Sequence, residues 1–226
     1  VTVALIMPPT TSSDEIKVLI TGFGPFQDAA KNPSWEICKL LPSNIAPRIR
    51  LLIHPEPLKV SYATLLPIAP KLLAEHTPDI VLYIGLAVGQ PYYSLEKSAS
   101  KSGYHQNPDV TRRVFTKAET KKVWGKLPET LSSTIDLDAV GPKWATGVKT
   151  RKYGADVRVT DDVGEFVCGF VYFATLAEMA KKGGERPVVF LHVPEMGEGK
   201  EFQVGAGVVV EAVKALVKVW EEGRGL

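Results

Sequence analysis

The sequence has almost no net charge and few cysteines, and both shortages narrow the classes of protein that it can encode. Its 27 Lys and Arg residues nearly match its 25 Asp and Glu residues, which leaves a formal charge of +2 over 226 residues. Nucleic-acid binding is not predicted, because basic residues are scattered and short basic runs such as 149–152 are typical of solvated surfaces. The two cysteines, Cys38 and Cys168, could form one disulfide, but without a secretion signal we expect reduced thiols.

Long apolar runs are also missing. No run approaches the roughly 20 residues that span a bilayer, so no membrane association is predicted. Residues 1–14 place no charged segment ahead of the short apolar run 3–7, which argues against a secretory signal. We expect residues 1–14 to be a flexible tail and residues 15–226 to form a single α/β domain, since a chain of 226 residues suits one large domain.

Motifs that bind metals or nucleotides are absent as well. The four histidines, His54, His76, His105 and His192, have no short spacing of the kind that zinc sites use. The segment 22–26, Gly-Phe-Gly-Pro-Phe, follows a predicted strand but lacks the third glycine of a dinucleotide-binding loop. No Gly-Lys-Ser/Thr motif for phosphate occurs. We therefore predict no cofactor.

What the sequence does contain is an alternation of strand and helix patterns. Continuous apolar runs predict strands that are covered on both faces, and apolar residues at helical spacing predict helices between them. The predicted strands are 16–21, 49–54, 79–85, 92–99, 156–160 and 187–193, and the predicted helices are 33–41, 58–76, 168–182 and 204–220. This alternation indicates an α/β fold, a three-layer α/β/α sandwich around a mostly parallel twisted sheet.

Two segments are harder to interpret. The predicted helix 58–76 contains Pro67 and Pro70, so we expect a kink or a division into two pieces. Residues 101–153 are polar and rich in Gly, Pro, Ser and Lys. They form either a functional lid or a series of short elements that the pattern hides.

The stretch 161–176 places a cysteine at the start of a predicted helix. Two acidic residues and a glycine lead into an apolar run with helical spacing, and Cys168 lies at its front. Unpaired backbone N–H groups at a helix N-terminus favour thiolate over thiol, and the thiolate is the nucleophile. The alternative is that Cys168 is a small buried hydrophobic residue, as free cysteines often are. For Cys38, within helix 33–41, we prefer that second interpretation.

Two further candidates lie near the ends of predicted strands. His192 closes the strand 187–193, and Glu96 follows the strand 79–85 after a glycine-rich turn. Ligands collect beyond the carboxyl ends of strands in open α/β sheets. A cysteine, a histidine that takes its proton and a carboxylate that orients the histidine form a nucleophilic constellation. The residues alone leave open whether the three meet, or whether His192 is a structural histidine and Glu96 a surface carboxylate.

Four blocks of sequence occur in the order found in a known family. They are Thr-Gly-Phe-Gly-Pro-Phe at 21–26 with Asn-Pro-Ser-Trp-Glu at 32–36, Gly-Leu-Ala-Val-Gly at 85–89 with Ser-Leu-Glu-Lys at 94–97, Asp-Val-Gly-Glu-Phe-Val-Cys at 162–168, and Leu-His-Val-Pro at 191–194. With these blocks the chain resembles the pyroglutamyl peptidase I family of cysteine peptidases. The resemblance covers most of the chain from Ile16 onward.

The resemblance implies a reaction and three catalytic residues. The reaction is hydrolysis of the amide bond after an N-terminal pyroglutamyl residue, so N-terminally pyroglutamylated peptides are the implied substrates. Cys168 would be the nucleophile that forms a thioacyl-enzyme. His192 would be the general base and then the acid, and Glu96 would orient His192.

The resemblance also implies a substrate pocket. Phe23, Phe26 and Phe166 match the family's aromatic pocket walls. The backbone of Val167 would bond the lactam, together with the backbone of the loop after the first strand. Asn32 matches an asparagine that fixes this loop, a role that is compatible with capping the helix that follows.

Some residues depart from the family pattern. Gly169 stands where relatives usually have Asn or Asp, and Glu165 replaces a small or hydroxylated residue or an arginine. Lys97 and the pair Gly103-Tyr104 are similar to eukaryotic members, which implies a cytoplasmic protein. Two alternatives remain open: an amidase or lactam hydrolase with the same triad and a different acyl pocket, or a catalytically silent protein that binds pyroglutamyl peptides.

Overall fold

A computed structural model of the chain describes residues 15–26, 30–181, 183–197 and 199–225. The predicted tail, residues 1–14, lies outside the described residues. Within them, strands and helices alternate along the chain. The order is β1 (Ile16–Thr21), α1 (Pro33–Leu40), β2 (Asn44–Ala46), β3 (Ile49–Ile53), α2 (Tyr62–His76), β4 (Ile80–Leu86), β5 (Tyr93–Glu96), β6 (Ser98–Ser100), α3 (Lys117–Trp124), β7 (Thr130–Ser132), α4 (Leu137–Thr150), β8 (Val157–Thr160), α5 (Val167–Lys181), β9 (Val188–Val193) and α6 (Lys200–Glu222).

Seven strands form the central sheet, in the order β2-β3-β1-β4-β9-β5-β8. The four central strands β3, β1, β4 and β9 run parallel to one another. Strand β5 is antiparallel to β9 and β8 is parallel to β5, so these two strands run the other way. The predicted α/β class and mostly parallel sheet are confirmed. The short edge strand β2 was not predicted, because three residues are too few to show a pattern.

Helices cover both faces of the sheet and enclose two apolar cores. Alternate residues of β9 belong to different cores, because successive side chains of a strand point to opposite faces. Val188 and Phe190 pack in the core that α2 and α5 cover, whereas Val189 and Leu191 pack in the core of α1, α4 and α6. The predicted three-layer sandwich is therefore present.

The segment that the sequence left open, residues 101–153, is a series of short elements and not a featureless lid. Helix α3 begins with a capping box in which Thr116 and Glu119 bond each other's backbone N–H groups. Helix α4 buries Trp144, whose indole Nε1 donates to the Val208 carbonyl of α6 at 3.0 Å. Pro142 and two glycines within α4 hid its helical pattern.

Two helices differ from their predicted form. Helix α2 is one helix that contains both Pro67 and Pro70, and it begins at Tyr62 rather than at residue 58. Helix α6 begins at Lys200, before the predicted residue 204. Among the described residues no helix is long and apolar enough to cross a membrane.

Candidate active site

The loop after β1 is held from two sides. The Leu58 N–H donates to the Gly22 carbonyl at 2.8 Å, and the Gly24 N–H donates to the Leu58 carbonyl at 2.9 Å. On the other side, Asn32 Nδ2 donates to the Gly24 carbonyl at 2.9 Å. A Cβ on Gly22 would lie 2.7 Å from the Ser34 carbonyl oxygen, so only glycine lets α1 pack directly on this loop.

Asn32 also caps α1, as the sequence predicts. Its Oδ1 accepts hydrogen bonds from the Ser34 N–H at 3.1 Å and from the Ser34 hydroxyl at 2.8 Å. The Ser34 Oγ in turn accepts from the Phe23 N–H at 3.0 Å. This buried pair therefore joins the helix to the loop and fixes the point where Phe23 leaves the sheet.

The predicted catalytic residues Cys168 and His192 lie near the ends of the neighbouring strands β4 and β9. Gly85 of β4 is paired with His192 of β9. A Cβ on Gly85 would lie 2.6 Å from the Phe190 ring and 3.1 Å from the Cys168 sulfur. The Phe190 ring also packs against the imidazole of His192, with ring centroids 4.8 Å apart. The missing side chain of Gly85 thus leaves the space in which the thiol lies above the sheet.

Glu96 lies within β5, inside the extended segment 92–99 that the sequence predicts after β4. Strand β5 runs antiparallel to β9, a direction that the sequence did not show. Ser94 is paired with His192 and Glu96 with Phe190, so all four side chains share one face of the sheet. Glu96 Oε1 lies 3.0 Å from His192 Nδ1. The structure therefore brings these two predicted residues together, and both are buried.

Four groups donate hydrogen bonds to the Glu96 carboxylate. Besides His192 Nδ1, the Ser94 hydroxyl donates to Oε1 at 2.6 Å, and the Thr160 hydroxyl and Asp162 N–H donate to Oε2 at 2.8 and 3.1 Å. Burial raises the pKa of Glu96, but the hydrogen bonds from His192, Ser94 and Thr160 outweigh it and lower the pKa below its usual value. Glu96 is therefore an anion at neutral pH despite being 1% exposed.

Ser94, Thr160 and Tyr172 were not singled out from the sequence. Tyr172 of α5 donates from its hydroxyl to the Glu96 carbonyl at 2.9 Å and so ties α5 to β5. Ser94 could have been found, because residues two apart on a strand share a face and Ser94 precedes Glu96 by two positions. The contributions of Thr160 and Tyr172 come from strand order, which no local pattern contains.

Cys168 is the second residue of α5, close to the predicted helix start. We expected it beyond the carboxyl end of β8, but β8 runs opposite to β9, so residues 161–166 lead back over the sheet to the start of α5. Gly169 packs against the backbone of this loop, since a Cβ there would lie 2.2 Å from the Gly164 carbonyl oxygen. The departure from the family pattern at Gly169 thus coincides with a backbone contact that no side chain can occupy.

The imidazole of His192 interacts with both of its predicted partners. Burial lowers the pKa of His192, but hydrogen bonds with Cys168 and Glu96 outweigh burial and raise the pKa to about 9. With Nδ1 directed to Glu96, the other ring nitrogen is the one that can exchange a proton with the thiol.

The other cysteine has quite different surroundings. Both cysteines are free thiols. Cys38 is fully buried in the core under α1, where burial raises its pKa to about 12. Cys168 is half-buried and lies next to His192. The two thiols thus differ in burial and in their neighbours.

The aromatic residues predicted to form the pocket lie in two groups of packed rings. Phe26 and Phe166 have ring centroids 5.1 Å apart, and the Phe166 ring makes an edge contact with Tyr62 at 6.1 Å. Phe23 packs against Phe190, with centroids 6.2 Å apart. Val167, the first residue of α5, is buried beside them and presents one of the unpaired backbone N–H groups of a helix start.

A segment from the 101–153 region supports the loop before α5. Asn107 Nδ2 donates to the Glu165 carbonyl at 2.9 Å, and Gln106 Nε2 donates to Glu165 Oε2 at 3.3 Å. Two cations of the region have partners elsewhere, since Lys101 donates to the Leu127 carbonyl and Arg113 pairs with Glu119. Among the described residues, no group of three or more His, Cys, Asp and Glu side chains could hold a metal ion.

Three groups lie together on the sheet of this α/β sandwich. They are a thiol at a helix start, an imidazole that interacts with it, and a buried carboxylate that bonds the imidazole. Cysteine hydrolases use this arrangement. The family model of the pyroglutamyl peptidases matches residues 16–220. The chain therefore belongs to the pyroglutamyl peptidase family, the C15 family of cysteine peptidases, as its sequence blocks indicated.

Relatives match over most of their length. Pyroglutamyl-peptidase 1 of Rattus norvegicus is 29% identical over 92% of this chain and 93% of its own. The pyrrolidone-carboxylate peptidase of Thermococcus onnurineus is 30% identical over 81% of this chain and 86% of its own. The solved structure of the pyrrolidone carboxyl peptidase from Thermococcus litoralis has a TM-score of 0.74 at 22% identity, over 92% of this chain and 96% of its own. That structural similarity supports the fold.

Proposed function

We propose that this chain hydrolyses the amide bond after an N-terminal pyroglutamyl residue of peptides, with Cys168, His192 and Glu96 as its catalytic triad. The hydrogen bond of 3.0 Å between His192 Nδ1 and Glu96 Oε1, on an imidazole whose pKa the neighbouring Cys168 also raises, is the observation that carries the proposal. The names of the relatives, pyroglutamyl-peptidase and pyrrolidone-carboxylate peptidase, supply the substrate class.

In the first half-reaction His192 accepts the Cys168 thiol proton, and the sulfur attacks the pyroglutamyl carbonyl carbon. The carbon–sulfur bond forms as the carbonyl oxygen takes the electron pair. When the tetrahedral intermediate collapses, the carbon–nitrogen bond breaks and His192 gives its proton to the leaving amine. The products are a thioester on Cys168 and the shortened peptide.

In the second half-reaction water replaces the amine. His192 takes a proton from the water, whose oxygen attacks the thioester carbon. Collapse of the second intermediate breaks the carbon–sulfur bond, returns a proton to Cys168 and releases free pyroglutamate. Glu96 keeps its negative charge throughout, because its role is to orient the Nδ1–H of His192 and to stabilise the imidazolium.

The start of α5 would stabilise the negative oxygen that both intermediates carry. The N–H groups of Val167 and Cys168 belong to the first turn, where no carbonyl of the same helix can bond them. Donors of this kind, held before the reaction begins, lower the barrier by an amount of the order of 3 kcal/mol each.

The acyl pocket suits an uncharged ring. Pyroglutamate has a lactam in place of the amine of other N-terminal residues, so its pocket needs apolar walls and a few hydrogen bonds. Phe23, Phe26 and Phe166 would supply the walls. Asn32, by holding the loop of Phe23 in place, would keep the backbone groups of that loop aligned with the lactam. No cofactor enters any step, and a cytoplasmic location accords with the two free thiols.

The proposal is tested by replacing the nucleophile. Cys168→Ala should abolish release of a fluorophore from a pyroglutamyl amide, while the fold, followed by circular dichroism, persists. Cys38→Ala is the matched control and should retain turnover. Turnover that persists in Cys168→Ala would remove the nucleophile assignment. A panel of pyroglutamyl, prolyl and alanyl amides identifies an amidase with another acyl preference, and binding of pyroglutamyl peptides without turnover identifies a silent protein.

A further inference from the structure

Ser94 connects the proposed triad to a residue outside it. Its hydroxyl is fully buried and donates to Glu96 Oε1, the same oxygen that bonds His192. The Ser94 Oγ also accepts a hydrogen bond from Gln90 Nε2 at 3.0 Å. A second proton of that amide donates to the Tyr92 carbonyl at 2.9 Å, so the Gln90 side chain is fixed from two sides.

These contacts determine the direction of the Ser94 proton. A serine hydroxyl has one proton to donate and two lone pairs that accept. Because the Gln90 amide can only donate, it occupies a lone pair of Ser94 Oγ. Glu96 is ionised and can only accept, so the single hydroxyl proton must point to its Oε1. The order of donation is therefore Gln90 to Ser94 to Glu96.

We propose that Ser94, oriented by Gln90, is a positioning residue that keeps the Glu96 carboxylate aimed at His192. This inference rests on the proposed function, since it assigns a role within the same triad. Thr160 and the Asp162 N–H hold Oε2, whereas Ser94 is the protein group that shares Oε1 with His192. Removal of its hydroxyl leaves the oxygen that bonds the imidazole with one donor fewer, in a place that water enters poorly.

The titratable groups around Glu96 differ from Ser94 in their effect on the carboxylate. From β9 the titratable neighbour is His192, and from α5 it is Tyr172, whose burial raises its pKa far above the usual range and keeps it neutral. Asp161, in the loop after β8, adds a negative charge near Tyr172. Hydrogen bonds that favour the charged carboxylate, such as that of Ser94, oppose the effect of burial on Glu96.

The variant Ser94→Ala tests the role on the intact chain. We expect kcat for a pyroglutamyl amide to fall about tenfold with little change in KM, the effect of one lost hydrogen bond to a charged group. The acid limb of the kcat/KM profile should move to higher pH, because Glu96 then binds a proton more readily. Gln90→Leu should shift this limb in the same direction by less. The control Thr175→Val loses another buried hydroxyl bond, to Tyr83 at 2.8 Å, and should leave the profile unchanged.

Two further measurements test the positioning role of Ser94. The first distinguishes it from a merely structural role, and the second does not depend on the identity of the substrate. In a Glu96→Gln background, Ser94→Ala should cost less than twofold in kcat, because the group it acts through has lost its charge. The pH profile of Cys168 alkylation by iodoacetamide needs no substrate, so it tests Ser94 even if pyroglutamyl amides are not turned over. An acid limb that does not move in either profile, or a full tenfold loss in the Glu96→Gln background, would overturn the proposal.

Discussion

At the scale of single residues, the two cysteines offer an internal comparison. Burial raises the pKa of Cys38 to about 12, whereas Cys168 is half-buried at a helix start beside His192. Since the thiolate is the reactive form, we predict that iodoacetamide alkylates Cys168 at least about a hundredfold faster than Cys38 at neutral pH. Mass spectrometry of timed digests measures both rates in one sample. Equal rates would mean that Cys168 is not activated.

The raised pKa of the His192 imidazole predicts how activity changes with pH. Burial lowers the pKa of His192, but its hydrogen bonds with Cys168 and Glu96 raise the pKa to about 9, so folding favours the protonated ring. That protonated form is complete below the ordinary value of 6.5 and is lost as the pH rises through about 9. The protonated ring, which carries the proton taken from the thiol, is the form that gives a proton to the leaving amine. We therefore predict that kcat/KM for a pyroglutamyl amide declines on the alkaline side with a midpoint near 9.

The variant Glu96→Gln removes one cause of that raised pKa, so the alkaline midpoint should move to lower pH. Glu75→Gln changes an exposed carboxylate of α2 and serves as the control. An alkaline limb at the same pH in Glu96→Gln and in the unmodified protein would show that Glu96 does not act on His192.

Gly85 tests how closely the thiol and the sheet approach each other. A Cβ at this position would lie 2.6 Å from the Phe190 ring and 3.1 Å from the Cys168 sulfur. We predict that Gly85→Ala lowers kcat about a hundredfold, since a displacement near 1 Å in a reacting group can cost that much. Gly184→Ala, where a Cβ meets nothing within 4 Å, should leave kcat unchanged. A fully active Gly85→Ala enzyme would contradict the close packing.

At the scale of elements, the loop after β1 and helix α1 depend on one asparagine. Asn32 Oδ1 caps α1, and Asn32 Nδ2 bonds the loop carbonyl of Gly24. Asn32→Asp keeps the cap and loses the bond to the loop, whereas Asn32→Ala loses both. We predict that both variants raise KM for a pyroglutamyl amide about tenfold, because both lose the bond to the Gly24 carbonyl. Asn32→Ala also loses the helix cap, which should lower the free energy of unfolding by about 1 kcal/mol. Steady-state kinetics and urea unfolding measure the two effects, and an unchanged KM in Asn32→Asp would show that the loop needs no such support.

The elements also show which structural features were accessible from the sequence. Strands such as β1 and β9 were predictable because burial on both faces requires a continuous apolar run. Helix α4 was not, since Gly141 and Gly147 fit against Val159 and Glu211, contacts that only the folded chain reveals. The sequence offered the three candidate catalytic residues but not the direction of β5 and β8, because no local pattern distinguishes a parallel strand from an antiparallel one.

Strand direction explains why the surroundings of Glu96 were missed. Thr160 joins Glu96 only because β8 pairs with β5 in parallel, with the two residues in register. Cys168 likewise reaches His192 by a loop that crosses back over the sheet rather than by the expected strand end. The residue types in the site are a local property of the sequence, whereas their contacts depend on pairings between distant segments.

At the scale of the whole molecule, the sheet separates the candidate site from one of the two cores. Trp144 is fully buried in the core of α4 and α6, on the face opposite to His192. Trp124 is equally buried, but it lies in the core of α2 and α5, where it packs on Phe170. Phe170 in turn contacts Tyr62, whose ring touches Phe166 of the predicted pocket.

These two tryptophans therefore make a matched pair. Each Trp→Ala change should lower the free energy of unfolding by about 3–5 kcal/mol, because it opens a large cavity. Trp144→Ala should keep kcat and KM within about twofold when measured on folded protein, whereas Trp124→Ala should also raise KM, since its cavity lets the aromatic residues behind Phe166 shift. Urea unfolding and steady-state kinetics of both variants provide the comparison, and Trp→Phe at each position gives a milder change of the same sign. If Trp144→Ala altered KM as much as Trp124→Ala, the sheet would not isolate the site from the opposite core.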